Sequence, residues 1–204
     1  MNNDLASKSL EEIRFAVVDT ETTGLSGTDD YVLQLGVVVT RADGTIEDQY
    51  ETFVRRNFWK PGRLGAFKVH GITRRNLWRG ISPNEMLERL NNYLSTAIFV
   101  AHNAKFEEGF LAAEFSRAGI DVPHIPAIDT MWLAQMELDI FNYKLPTVLS
   151  HYGHTIKDAH TAMGDVVSIA KFLPQILLEV PTQLYPVDLV KLPHRPLAKK
   201  LKPR

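Results

Sequence analysis

Between Arg14 and Asp19 the chain reads Arg-Phe-Ala-Val-Val-Asp, a short, almost unbroken apolar run bounded by charge. Such a run suits a central strand buried on both faces, because a strand with one wet face alternates apolar and polar residues. Burial on both faces requires a cover on each, which confines the chain to layers of sheet and helix. Tyr31–Thr40 and Thr45–Arg55 are also rich in β-formers, and the Asp43-Gly44 pair between them is a hairpin signal. The first half is therefore expected to be mostly sheet.

The period then changes. Ser82-Pro-Asn-Glu85 combines an N-cap serine, a proline at the first helical position and a capping-box glutamate. Met86, Leu87, Leu90, Tyr93 and Leu94 follow on one helical face. Ile98–Ala101 reads as a short buried strand, followed by a helix from Ala104 to about Ala118 that Gly119 ends. A further strand is expected to close near Ile128, with Asp129 or Thr130 capping the next helix. The last helix is expected from about Ala159, interrupted or kinked near Pro174. A hairpin meander followed by alternating strands and helices gives an α/β class, a mixed sheet flanked by helices.

With 204 residues, 45% of them hydrophobic, one domain with a full core is expected over 1–180, leaving 181–204 as a basic, proline-containing tail. The sequence contains no cysteine, which excludes disulfides, thiolate metal sites and a cysteine nucleophile. No signal-peptide core follows Met1, and no apolar run approaches the ~20 residues of a membrane span. These features fit a soluble, cytoplasmic protein with no membrane partner. The net charge of −1 does not announce a nucleic-acid binder. Its distribution says more: Arg55, Arg56, Lys60, Arg63, Lys68, Arg74, Arg75 and Arg79 are interleaved with Phe58, Trp59, Phe67 and Trp78, with no acid between. Such a stretch suits phosphate contact and base stacking, or else a solvated surface.

Three polar constellations stand at the ends of predicted elements. Asp19-Thr20-Glu21 follows the first apolar run, and residues two apart on an extended chain point the same way, so both carboxylates face one spot. Thr22-Thr23-Gly24-Leu25 follows as a turn able to bring backbone close to a ligand. His102-Asn103 leads into a helix carrying Phe106 and Glu107, and His160, Ala162 and Asp165 open the last helix. Positions i and i+5 of a helix lie about 140° apart, so His160 and Asp165 suit two different roles.

In content, order and spacing these constellations resemble the DEDD exonucleases, histidine branch, a family that includes the proofreading subunit of bacterial DNA polymerase III. The family pattern is Asp-x-Glu, His-Asn-x-x-Phe-Asp and His-x-Ala-x-x-Asp. It is met here by Asp19/Glu21, His102-Asn103-x-x-Phe106-Glu107 and His160-x-Ala162-x-x-Asp165, with His70-Gly71-Ile72-Thr73 and Ile128-Asp129-Thr130 as further signposts. The resemblance covers roughly Phe15 to Phe172. It implies a ribonuclease-H-like five-stranded mixed sheet and a 3′→5′ exonuclease that releases 5′-mononucleotides. The expected substrate is the 3′ end of a single strand, DNA favoured, and a polymerase is a possible partner. Trimming of RNA 3′ ends and a catalytically weakened binding module are the rival readings.

Phosphodiester hydrolysis builds charge on attacking and leaving oxygens, which two Mg²⁺ or Mn²⁺ ions held by carboxylates can stabilise. The expected ligands are Asp19, Glu21, Glu107 and Asp165, with His160 as general base. By the same resemblance Thr22, Thr23, Leu25, His102, Asn103 and Phe106 surround the terminal nucleotide. His102 has a structural hydrogen-bonding role as its alternative, and Phe106 plain core packing. Two positions depart from the family: Glu107 stands where Asp is usual, and Gln34 where an acid is common. Glu108 would point about 100° away from Glu107, so the acid of the pattern is assigned to Glu107.

Overall fold

The computed structural model describes residues 12–56, 65, 67–123, 125, 127–155 and 161–179. Strands β1 (Arg14–Thr22), β2 (Val32–Arg41) and β3 (Ile46–Phe53) precede the short helices α1 (Phe67–His70) and α2 (Arg74–Trp78). Then come α3 (Pro83–Leu94), β4 (Ile98–Ala101), α4 (Ala104–Arg117), β5 (Ala127–Asp129), α5 (Thr130–Glu137), α6 (Leu145–His151) and α7 (Ala162–Glu179). The five strands form one sheet in the order β3-β2-β1-β4-β5. The two pairings of the meander, β1–β2 and β2–β3, are antiparallel, whereas β4 pairs in parallel with β1 and β5 in parallel with β4, each preceded by a helix. The expected mixed five-stranded sheet is what forms.

The apolar run does sit at the centre. Phe15 and Val17 face α5, α6 and α7 with Val38, Ile98 and Val100, while Ala16 and Val18 face α3 and α4 with Leu35, Val37 and Phe99. Each fully buried side chain of this size contributes roughly 1.5–3 kcal/mol. Ser82 accepts from the Glu85 amide at the start of α3, with Pro83 at its first position. Asp129, rather than Thr130, caps α5, accepting from the amides of Met131 and Trp132 at 3.0 and 3.2 Å.

Two expectations need correction, and one helix was not foreseen. β1 does not leave the sheet at Asp19: it stays paired with β2 through Thr22, with an irregularity between Glu21 and Thr22, so both acids are held on regular strand. α7 is continuous through Pro174, not interrupted there. Phe172, Leu173, Ile176 and Leu177 bury the helix on both sides of the proline, and the β2–β3 turn at Gly44 (φ +86°) lies against its ring. Burial of that face outweighs one missing hydrogen bond. α6 was not anticipated, although Leu145-Pro146 opens it with proline in the first turn. The expected helix start at Ala159 and the tail 181–204 lie outside the described residues. No helix among the described residues is long and apolar enough to cross a membrane.

Candidate active site

Asp19 and Glu21 project from the α7 side of β1, continuing the face that carries Phe15 and Val17. Asp165 reaches them from the first turn of α7. One carboxylate oxygen from each of the three lies within 4.8 Å of the others. The approach of α7 depends on Gly36, the β2 partner of Asp19. A Cβ at Gly36 would lie 2.7 Å from the carbonyl carbon of Ala162, a distance that real contacts do not reach. The turn preceding Asp165 is tied down by Thr161, whose hydroxyl accepts from the Gly164 amide at 3.0 Å, and by Glu51 of β3, which accepts from the Met163 amide at 3.3 Å.

Three carboxyls so close resist ionisation together. Burial, followed by the charges of Asp165 and Glu21, raises Asp19 well above the usual range. Burial and the Asp165 charge raise Glu21 to about 7. Glu107 approaches from the opposite face, in the first turn of α4. It is buried, with Oε1 3.5 Å from the Thr20 hydroxyl and Oε2 without a partner. Burial first, then the Asp19 charge, raises it well above the ordinary carboxyl range. Glu107 therefore neighbours Asp19 but does not join the trio's mutual contacts. Glu108 turns away and lines an apolar groove with Leu94, Phe99 and Leu111. His160 lies outside the described residues.

A carboxyl raised in this way binds its proton more tightly in the folded than in the unfolded chain, so its contribution to stability is lost as pH rises through the folded value. His102 works in the opposite sense, since burial lowers it to about 4, and its unfolded form is half neutral at about pH 6.5 and almost wholly neutral a unit higher. Between about pH 6.5 and 8 the three raised carboxyls, Asp19, Glu21 and Glu107, outweigh the residual titration of that one histidine. In EDTA the melting temperature should fall across that window, and Mg²⁺ or Mn²⁺ should remove the fall. Thermal melts decide it; a flat profile in EDTA would mean that the trio does not repel.

Beyond Thr22 the chain makes a compact loop around Asp30. The Asp30 carboxylate accepts from the Thr23 hydroxyl at 2.9 Å and the Ser26 amide at 3.0 Å, and it packs where a side chain at Gly24 would be. Thr22 donates to the Gly24 carbonyl at 2.7 Å. Both threonine hydroxyls thus shape the loop, which leaves Leu25 88% exposed.

A second brace lies behind this loop. Buried Glu114 of α4 accepts from Arg56 at 2.6 Å, the Val32 amide at 3.1 Å and Arg117 at 3.2 Å. Arg117 also donates to the carbonyls of Gly27 and Thr28, and both guanidiniums lie over the Tyr31 ring. Asp30 and Glu114 were not singled out in the sequence; apart from Arg117, three residues on in the same helix, the partners of Glu114 lie on distant segments, and no local spacing marks Asp30.

His102, one residue past β4, donates from Nε2 to the Tyr143 carbonyl at 2.8 Å, and its Nδ1 meets the Thr130 hydroxyl at 3.0 Å. With both nitrogens engaged it acts as a structural hydrogen-bonder. Asn103 is the one non-glycine with positive φ among the described residues (φ 73°), and its amide donates to Asp129 at 3.0 Å. This left-handed turn leaves its side chain uninvolved in capping α4. Phe106 is half-buried against Phe110, ring centroids 4.8 Å apart. Of the eight clustered cations, Arg55 is occupied by the Gly80 carbonyl and Arg56 by Glu114. Arg74, Arg75 and Arg79 are exposed around α2, with Trp78 exposed among them. Lys60, Arg63, Phe58 and Trp59 lie outside the described residues.

The sequence family described as exonuclease, of the RNase T group, matches residues 16–173. The PolC-type DNA polymerase III of Bacillus cereus is 30% identical over 176 residues, 86% of this chain and 12% of that protein. Its counterpart from Thermotoga petrophila is 32% identical over 188 residues, 90% of this chain and 13% of that protein. The chain spans about an eighth of the length of these relatives. Among solved structures, a 3′-exonuclease recognising the 3′ end of a histone mRNA stem-loop matches with a TM-score of 0.68 at 16% identity, over 85% of this chain and 84% of that one. Exonuclease X in complex with 5′ overhanging duplex DNA matches with a TM-score of 0.65 at 20% identity, over 86% and 99%. At these identities the likeness is one of fold.

Proposed function

The chain belongs to the RNase T-type exonuclease family, and we propose that it removes nucleotides one at a time from the 3′ end of a single strand, DNA by preference, releasing 5′-mononucleotides. The observation that carries this reading is the meeting of Asp19, Glu21 and Asp165 within 4.8 Å on two rigid elements. Hard divalent cations such as Mg²⁺ or Mn²⁺ want a cage of oxygens, and three converging carboxyls, with Asp19 and Glu21 raised by burial and mutual charge, fit that requirement. The unpartnered Oε2 of buried Glu107 fits it too, as a fourth donor completing the set directly or through water. Two such ions, when bound, supply positive charge to the attacking and leaving oxygens and acidify the water.

The chain's own residues do the rest. His160, which precedes Thr161 in the sequence, accepts the proton of the attacking water. Leu25, held out by the Asp30 loop, packs against the terminal nucleotide, and Asn103 offers an uncommitted carboxamide on the other side. Arg74, Arg75, Trp78 and Arg79 carry the strand further by phosphate contact and stacking. Kinship with PolC-type polymerases supports a role beside a polymerase, in the same chain or as a partner. Residues 1–180 form the nuclease unit, and 181–204 lie outside it.

The test uses 5′-labelled single strands of DNA and RNA, with free or blocked 3′ ends and as circles. A free DNA 3′ end should shorten one nucleotide at a time in Mg²⁺ or Mn²⁺ and stay intact in EDTA. Blocked and circular strands should survive. Cutting of circles would refute the exonuclease reading, and faster loss of RNA than of DNA would refute the DNA preference.

A further inference from the structure

Leu25 and Phe141 are the most exposed large apolar side chains among the described residues, each at 88%. Leu25 belongs to the site already described; Phe141 lies on the segment joining α5 to α6. Its neighbours do not share its exposure. Leu138 is buried, and Ile140 and Tyr143 pack on the core. The segment is also braced by polar contacts. The Asn142 side-chain oxygen accepts from the Lys144 amide at 3.0 Å and the Thr147 hydroxyl at 2.8 Å, and the Tyr143 hydroxyl donates to the Leu138 carbonyl at 3.2 Å. An aromatic ring that a fixed backbone holds out into water forgoes about the burial energy of a core residue, yet it loses little freedom when something stacks on it.

The position of the ring follows from the sheet. β4 is parallel to β1 with Val100 opposite Val17, so the chain leaves β4 into His102 at the end of the sheet towards which β1 carries Asp19 and Glu21. The Tyr143 carbonyl hangs from His102 at 2.8 Å. Phe141 is two residues back, at most about 7 Å between Cα atoms, with its ring reaching further. The segment that carries Phe141 is thus tied, through His102, to the end of the sheet at which the carboxylate trio sits.

We propose that Phe141 is a stacking platform for a nucleobase one or two positions behind the 3′-terminal nucleotide. The proposal rests on the nuclease reading above. A planar hydrocarbon face accepts any base and does not read the sugar, so the platform serves DNA and RNA alike. Leu25 and Phe141 together offer the strand two exposed apolar side chains. Two consecutive bases held in this way fix the register of the scissile phosphate over the trio.

The experiment couples the side chain to the base it contacts. Single strands with one abasic position, moved stepwise from the second to the fifth nucleotide from the 3′ end, are degraded by the wild type, Phe141→Ala and Phe141→Trp. On intact strands Phe141→Ala should raise KM about tenfold, the scale of one base–aromatic stack, and Phe141→Trp should restore it. For the wild type, an abasic site at the second or third position should raise KM by the same factor, and in Phe141→Ala that penalty should vanish. An unchanged KM in Phe141→Ala, or an abasic penalty equally large in both proteins, would overturn the proposal. Binding of strands carrying 2-aminopurine at the same positions, in EDTA, provides a reading that needs no catalysis. Wild-type binding that quenches the probe, with the quench lost in Phe141→Ala, would uphold the platform even if no strand were cut, which would refute the nuclease reading alone. No quench in the wild type would refute the platform.

Discussion

Asp19→Asn should lower cleavage at saturating Mg²⁺ by at least about a thousandfold, the scale on which loss of preorganised charge at a reacting phosphate acts, and should at the same time stabilise the cation-free protein. Both halves follow from the same contacts. The Asp19 carboxyl is raised by burial and by the charges of Asp165 and Glu21, so near neutral pH its ionised form opposes folding. Asn keeps the shape, removes the charge and relieves Glu21 and Asp165 of a competitor. A residue that served only the fold would show the reverse, unchanged chemistry and a lower melting temperature. The opposed signs are what a functional acid produces, since a site built to hold cations is strained without them. Single-turnover rates and melts in EDTA test the two halves. A wild-type rate in Asp19→Asn would remove Asp19 from the reaction.

Much of this arrangement was legible because it is local. The double-sided burial of β1 is written in Phe15–Val18, and strand periodicity alone aims Asp19 and Glu21 at one side. Ser82-Pro83 and Gly119 mark helix ends by chemistry that acts within a few residues. What was not legible depends on contacts between distant segments. Asp30 is one acid in a polar turn until the fold wraps it around Gly24. Glu114 reads as an ordinary solvated helix residue, and only the arrival of Arg56 and the Val32 amide makes it a buried anchor. Arg55 and Arg56 counted as surface cations in the sequence, whereas carbonyl and carboxylate partners absorb them. Pro174 failed as a helix breaker for the same reason: burial of Phe172, Leu173, Ile176 and Leu177 overrides a local preference. Gly36 shows the converse, a residue whose function is the space it leaves for Ala162.

Glu107 is where local and long-range demands meet, and its substitutions carry the other large effect. The family pattern has Asp at this place, one methylene shorter, or about 1.5 Å less reach. In this chain the longer side chain is already accommodated: α4 begins after a left-handed residue at Asn103, and the carboxyl is fully enclosed with Oε1 on the Thr20 side and Oε2 unpartnered. A backbone set for Glu leaves Asp short. Glu107→Asp should therefore lower the rate, by about a hundredfold on the scale of a 1 Å misplacement, despite restoring the family residue. Glu107→Ala should lower it further and, like Asp19→Asn, stabilise the cation-free protein by removing a buried acid; the cavity left by the truncated side chain offsets part of that gain. Glu107→Gln keeps the volume and separates the two contributions. Mg²⁺ tolerates little departure from its preferred geometry, so the deficit of Glu107→Asp should be larger in Mg²⁺ than in Mn²⁺. Single-turnover rates of the four proteins in each metal decide the matter. A rise in rate for Glu107→Asp would mean that the site was built for Asp and that Glu weakens it. A wild-type rate for Glu107→Ala would mean that the acid takes no part in the chemistry.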